Sequence, residues 1–435
     1  MVNEANPFRR PVRPHDLKFL DYGVPLPEDE ALRLSGLLGH RMLRNIYDAD
    51  LLFVPGGPAG HPSRDDADAF YSLENRIRGR QAAEVLESHL FSWLPEARQP
   101  LEGDGVQGAK AHVLAQFERR LAGPGQALAI ANATRRRKDA ATFALVQLTA
   151  ARPAITSAVG RSLVGDYDTA HPALRGLLLE DFQSRSERAA AYHELLGQAE
   201  LIGEPYAYWQ FFLSSTLAGA NHLHRVGRDH ERFLEFLGAW VHHRIDEAAT
   251  APGYGDLFRE GFGIESPAYA LGTPAVTADG LGALVEALLA PLAGRLGEEA
   301  VTTAFHAGFE DARLLAAVAD RDLAVQLDWA DRLDEYKAKA EKLHHRIESE
   351  NIEVDLETFV ESWEETSTTH VHDDHRLVVV EVGQMYFWNN VGQQIPMNEG
   401  DKLLIPAERL HGSMVRTGTC TYHQPVIPED MLRSV

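Results

Sequence analysis

Three histidines near the end of the chain are spaced to hold a metal ion. His370-Val371-His372 precedes a β-branched run from Arg376 to Val382. In extended backbone, residues i and i+2 project to the same side, so the two imidazoles share a face. Downstream, Gly400-Asp401 marks a turn and Lys402 to Ile405 a short apolar strand. Pro406 begins a second turn, which delivers His411. Three neutral imidazoles on a rigid barrel can cover one face of an ion, leaving positions open for a small-molecule substrate and dioxygen. Imidazole suits iron, copper, zinc and nickel, so the ligands alone leave the metal open. His375 is close enough in sequence to compete as a ligand.

The elements that must position these residues are short strands. From about residue 352 the pattern shows apolar segments at 376–382, 385–388, 394–397, 402–405, 412–416 and 419–423. Turn residues separate them at roughly 8–12-residue intervals, which predicts an all-β barrel or jelly roll. Cys420 falls on a late strand and reads as core filler.

Everything before that point reads as helix. Apolar residues recur at three- and four-residue spacing over 30–46, 66–94, 108–122, 138–163, 171–201, 206–225, 229–249, 279–295, 297–317 and 319–348. Gly203-Glu-Pro, Pro252-Gly-Tyr-Gly and the stretch from Gly261 to Ala278 read as breaks. The expected organisation is multidomain α plus β. It comprises an N-terminal arm and helical, candidate dimerisation region (1–120), a helical bundle (121–330), a charged helical linker (331–351) and the β-barrel (352–435).

The chain has 435 residues and a formal net charge of −22. That charge opposes nucleic acid and anionic membranes as partners. No apolar stretch is long enough for a transmembrane helix, and the first ten residues lack the core of a secretory signal. A single cysteine excludes an internal disulfide and fits a reducing, cytoplasmic setting.

The terminal segment resembles a cupin. A cupin carries H-x-H, a Glu and a Gly in one half, then Gly, five residues, Pro, four residues and His in the other. His370, His372, Gly383, Gly400, Pro406 and His411 fall on that pattern in register. Arg376 stands where the Glu belongs. The resemblance therefore implies three histidine ligands without a carboxylate, and in cupins of that type, such as thiol dioxygenases, the metal is usually Fe(II). It also places Arg376 near the site, where a guanidinium suits a substrate carboxylate.

Residues 150–249 resemble a haem-oxygenase-like diiron oxidase. The carriers are Leu174-Arg-Gly-Leu-Leu-Leu-Glu-Asp-Phe-Gln183, an Ala-rich helix upstream and Leu217-Ala-Gly-Ala-Asn221. The resemblance puts a bridging carboxylate at Asp181 and a third-helix carboxylate at Glu247. A His-x-x-x-acid pair falls at His306 and Glu310. The family's histidine position is Ala191, with His193 close by, and no carboxylate stands in 150–160 where the first Glu belongs. The second, diiron, cofactor thus reads as degenerate.

A helical bundle followed by a three-histidine cupin resembles the N-nitroso-forming metalloenzymes of the kind found in streptozotocin biosynthesis. In that family the diiron bundle hydroxylates guanidine nitrogens of a methylated arginine, and the cupin iron uses dioxygen to rearrange the product and form an N–N bond. The resemblance implies a metal-dependent oxygenase of specialised metabolism, expected as a homodimer, acting on an N-hydroxylated amino acid or guanidine. Two other readings stay open. One is a two-site enzyme whose bundle also N-hydroxylates. The other is a non-catalytic cupin module for binding or sensing on a helical dimer scaffold.

Overall fold

The structure, a computed structural model, describes residues 6, 10–18, 21, 24, 26–28, 30, 33–51, 68–167, 169–203, 207–264, 276–363, 367–390 and 393–433. Much of the expected N-terminal arm lies outside these residues. So do most of the Gly203-Glu-Pro break and of the loop expected from Gly261 to Ala278.

After a 3-10 turn at Pro14–Leu17 come helices α1 (Leu34–Asp48), α2 (Leu73–Leu90) and the one-turn α3 (Leu94–Ala97). The bundle follows with α4 (Gly105–Ala122), α5 (Gln126–Ala133), α6 (Arg137–Ser162), α7 (Leu174–Gln198) and α8 (Ser214–Arg228). It continues with α9 (Phe233–Phe262), α10 (Ala278–Leu296) and α11 (Glu298–Asp331). Ser72 and Thr277 cap α2 and α10 by accepting the N–H groups of Asn75 and Gly280, satisfying donors that the first turn leaves open. Val106, Ala109, Val113 and Phe117 of α4 share one apolar core with α6 and α9, so this helix packs with those after it. At the crossing of α9 and α11, a Cβ on Gly238 would meet the Phe305 carbonyl oxygen and one on Gly308 that of Glu235. Only glycine allows the two backbones to approach so closely.

Two helices run through positions where the sequence suggests a break. The Pro252-Gly-Tyr-Gly turn does not form, and α9 continues through it to Phe262. Proline's missing hydrogen bond and ring clash cost about 3 kcal/mol. Burying Leu257 and Phe258, both inaccessible to solvent, returns about 1.5–3 kcal/mol each. Likewise α11 passes the expected boundary near residue 318, because nothing between Phe309 and Asp331 is Gly or Pro.

The β region contains β1 (Thr358–Ser362), β2 (His375–Val382), β3 (Gln384–Asn390), β4 (Gln393–Asn398), β5 (Lys402–Ile405), β6 (Gly412–Met414), β7 (Thr419–His423) and β8 (Val426–Ile427). One sheet has the order β1-β7-β2-β5, with β8 also against β2, and the other the order β4-β3-β6. Every pairing is antiparallel. This is a cupin-like two-sheet architecture carried behind a helical body.

The charged helix α12 (Leu333–Ser349) is not a bare connector. Its spacing leaves a narrow apolar stripe, from which Ala340 and Leu343 pack on Leu377, Leu404 and Ile427. On the opposite face of β2, Val378 and Val380 join Met385, Phe387, Leu403 and Ile405 inside the two sheets. This accounts for the continuous apolar run of β2, which is covered on both faces.

Candidate metal centre

His370 and His411 meet in an isolated antiparallel bridge. The amide of His370 donates to the His411 carbonyl at 2.9 Å, and that of His411 to the His370 carbonyl at 3.0 Å. Val371 and Leu410, the neighbours of these residues, are buried in the core shared with the bundle. Alternation then sends the histidine side chains the other way, to a common point. Ring centroids lie 4.8 Å apart for His370–His372, 4.6 Å for His370–His411 and 5.0 Å for His372–His411. One ligand atom from each lies within 4.8 Å of the others.

The tautomers are set by the backbone. A carbonyl only accepts, so His370 Nδ1 donates to Thr368 O at 2.9 Å and His411 Nδ1 to Arg409 O at 2.8 Å. Each Nε2 is left as a lone pair. His411 Nε2 is buried and without a hydrogen-bond partner, which is costly unless something electrophilic faces it. Burial lowers the pKa of all three rings. That of His372 falls to about 4, with further lowering from His370 and Arg376, and that of His411 falls well below the ordinary value. Neutral imidazoles with converging lone pairs fit one divalent cation, and the three together could hold a metal ion. Among the described residues, no other group of three or more His, Cys, Asp or Glu side chains brings its ligand atoms together in this way.

Phe387 on β3 faces the same interior, its ring 6.2 Å from that of His411. Trp388 points the opposite way into the helical core, while Tyr386 lies under the Arg416 guanidinium. Tyr386 and Trp388 therefore line the outer face of β3. Cys420 is buried among the interior residues of the sheets.

His375, the competing ligand on sequence grounds, is engaged elsewhere. Its Nε2 lies 2.6 Å from Glu429 Oε2, and its Nδ1 accepts the Ala407 amide at 2.9 Å. Arg376 is committed too. It pairs with Asp374 and Glu357 and donates to the Gln424 carbonyl. Anchoring a substrate carboxylate would require those pairs to open.

The helical candidates do not assemble into one centre. Asp181 on α7 and Glu247 on α9 are joined by the guanidinium of Arg185, one turn beyond Asp181. Arg185 Nε donates to Asp181 Oδ2 at 2.7 Å, and its two terminal nitrogens donate to the Glu247 oxygens at 3.2 Å each. Trp240 Nε1 donates to the same Asp181 oxygen at 3.0 Å. Burial opposes charge on Glu247, but Arg185 and then His243 hold its carboxyl well below the usual range. A cation already sits between these two acids, and it belongs to the protein. His193 lines a cavity of about 330 Å³ with Arg152, Arg188, Tyr208 and Glu247.

His306 and Glu310 sit in a different cluster. Glu310 accepts Arg313, the amide of Gln99 at 3.0 Å and His112 Nε2 at 3.0 Å, while His306 Nε2 lies 2.8 Å from the Gln99 carbonyl. Every Glu310 oxygen is thereby taken. The residues as placed do not fit a dinuclear iron site. Sequence reading missed Arg185, His112 and Arg313. The i, i+4 and i, i+3 spacing of Asp181/Arg185 and Glu310/Arg313 was the available signal.

No protein-family model matches the chain. A nitrosourea synthase from Streptomyces achromogenes subsp. streptozoticus is 26% identical over 437 aligned positions, covering 97% of this chain and 90% of that enzyme. The chain resembles that enzyme along nearly its whole length.

Proposed function

We propose that this protein is an oxygenase of specialised metabolism of the N-nitroso-forming kind, working with one Fe(II) held by His370, His372 and His411. The observation that carries this reading is the convergence of three neutral imidazoles, two with their tautomer set by a backbone carbonyl. The whole-length resemblance to a nitrosourea synthase supports the reaction class. Ferrous iron, when bound, supplies the one-electron chemistry that dioxygen needs before it reacts with a closed-shell substrate.

The chain's own residues supply the surroundings. His370, His372 and His411 would hold the ion, and three protein ligands would leave room for exchangeable ones. Phe387 and the apolar interior limit water around the centre. The substrate class this reading favours is an N-hydroxylated amino acid or guanidine, rearranged oxidatively with formation of an N–N bond. The helical body acts without its own iron, because Arg185 fills the space between Asp181 and Glu247.

The test is anaerobic reconstitution with Fe(II), metal analysis, and oxygen uptake with N-hydroxylated arginine derivatives. About one iron per chain and substrate-dependent oxygen consumption, both lost in His411→Ala, are expected. Two or more irons per chain, or oxygen uptake that survives His411→Ala, would overturn the reading.

A further inference from the structure

The residue before each bridged histidine is gripped by a side chain from the helical body. Before His370, Thr369 receives Arg41 of α1. One terminal nitrogen donates to the Thr369 carbonyl at 2.8 Å, and the other to the Gln210 carbonyl at 2.9 Å and the Thr369 hydroxyl at 3.2 Å. The Thr369 hydroxyl in turn donates to Gln210 O. Arg41 is 5% exposed, its Nε has no partner, and no carboxylate among the described residues pairs with it. Burial pulls its pKa down to about 9. A buried guanidinium without a counter-charge is costly, and packing alone would be better served by an apolar residue.

Before His411, Leu410 meets Gln326 of α11. Gln326 Oε1 accepts the Leu410 amide at 3.0 Å, and its Nε2 donates to the Glu408 carbonyl at 2.8 Å and to Asp322 Oδ1 at 3.0 Å. Ser215 of α8 donates to the other Asp322 oxygen at 2.7 Å, so the Gln326 amide is held in one orientation. The Leu410 N–H belongs to the same planar peptide as the Arg409 carbonyl, which receives His411 Nδ1. Turning that peptide turns the imidazole. At the first grip, Thr369 follows Thr368, whose carbonyl receives His370 Nδ1.

We propose that the helical body sets the geometry of the three-histidine centre through Arg41 and Gln326, which act as positioning residues, one on each strand of the His370–His411 bridge. This rests on reading that centre as a metal site. The connection explains why the β region is carried on a large helical body whose own metal-site candidates are occupied by arginine. The bundle serves the centre by holding two peptides still.

The test uses the full chain and Co(II), whose visible absorption bands report ligand geometry. Arg41→Met and Gln326→Met should keep the far-ultraviolet circular dichroism of the parent, weaken Co(II) binding roughly 10–100-fold and shift the absorption bands. Wild-type affinity and an unchanged spectrum in both variants would overturn the proposal while leaving the metal site intact. If the parent itself takes up no Co(II), the metal reading fails, and this inference with it. Should Arg41→Met not fold, Arg41→Lys decides. It keeps the charge but not the two-pronged grip, so weakened binding with a shifted spectrum supports the proposal and parental values overturn it.

Discussion

The Nε2 atoms of His370 and His372 stand 3.3 Å apart. Two neutral imidazoles at that separation share either a proton or a cation. Nitrogen ligands about 2.1 Å from one ion lie about 3.0–3.4 Å from each other, so the spacing matches joint coordination. Replacing His370, His372 or His411 singly with alanine should reduce bound metal from about one ion per chain to background, by elemental analysis after gel filtration. Protonation competes with the metal. Because burial lowers the His372 pKa to about 4, the loaded protein should retain its ion well below pH 6.5, the range in which an exposed histidine site would release it. Release beginning near pH 6.5 would contradict the buried, neutral state of the rings.

Arg185 gives the helical body a different expectation. It bridges the two acids, so Arg185→Met leaves Asp181 with the longer Arg244 contact at 3.6 Å and Glu247 with His243 at 3.3 Å. Removing one partner of a buried charge cluster typically costs about 3–5 kcal/mol, and a clear drop in the urea midpoint is expected. Glu247→Gln should also lower stability but leave the metal content unchanged. Metal analysis and chemical denaturation on the same samples separate this from a working second site, in which Glu247→Gln would lower the iron count.

The parts of the fold that depend on local periodicity were legible in the sequence. The helices follow from three- and four-residue repeats, β7 at 419–423 from alternation, β2 and β5 at 402–405 from short apolar runs between turn residues, and the triad from H-x-H with a downstream Gly, Pro and His. What stayed hidden depends on distant partners. Nothing near Arg41 in sequence announces a carbonyl 328 positions away, and Gln326 looks like any helix residue until Leu410 arrives. Pro252-Gly-Tyr-Gly reads as a turn because the burial that overrides it comes from other helices. The charged helix after Asp331 reads as a linker by its many charges, although its sparse apolar stripe decides where it packs.

Glu310 should make the protein acid-sensitive in a defined window. Burial opposes its charge, but His112, Arg313 and the Gln99 amide outweigh that and bring its pKa down to about 2 from the ordinary 4.5. A carboxyl whose folded pKa is depressed contributes its full stability above the unfolded value and loses it as pH falls towards the folded one. The shift is worth about 1–3 kcal/mol once screening by solvent around the partly exposed Arg313 is allowed for. Glu310→Gln should therefore be less stable than the parent at pH 7. The gap between the two should narrow from about pH 4.5 down to pH 2, followed by urea midpoints. A gap independent of pH would mean that Glu310 acts through packing rather than charge.

Gly412, next to His411, tests how tightly the centre depends on its neighbours. A Cβ there would lie 2.6 Å from two carbons of the Trp388 indole and 2.7 Å from its nitrogen. Trp388 is only 1% exposed and packed into the helical core, so the ring has little room to withdraw. The strain should instead move the start of β6 and, with it, the adjacent His411. Gly412→Ala is expected to destabilise the chain by about 1–3 kcal/mol, the usual cost of overpacking. It should also weaken metal binding although no ligand has changed. The double variant Gly412→Ala with Trp388→Phe removes part of the indole and should recover metal affinity. Recovery would locate the effect at this contact. Unchanged metal binding in Gly412→Ala alone would show that His411 is insulated from the strand that follows it.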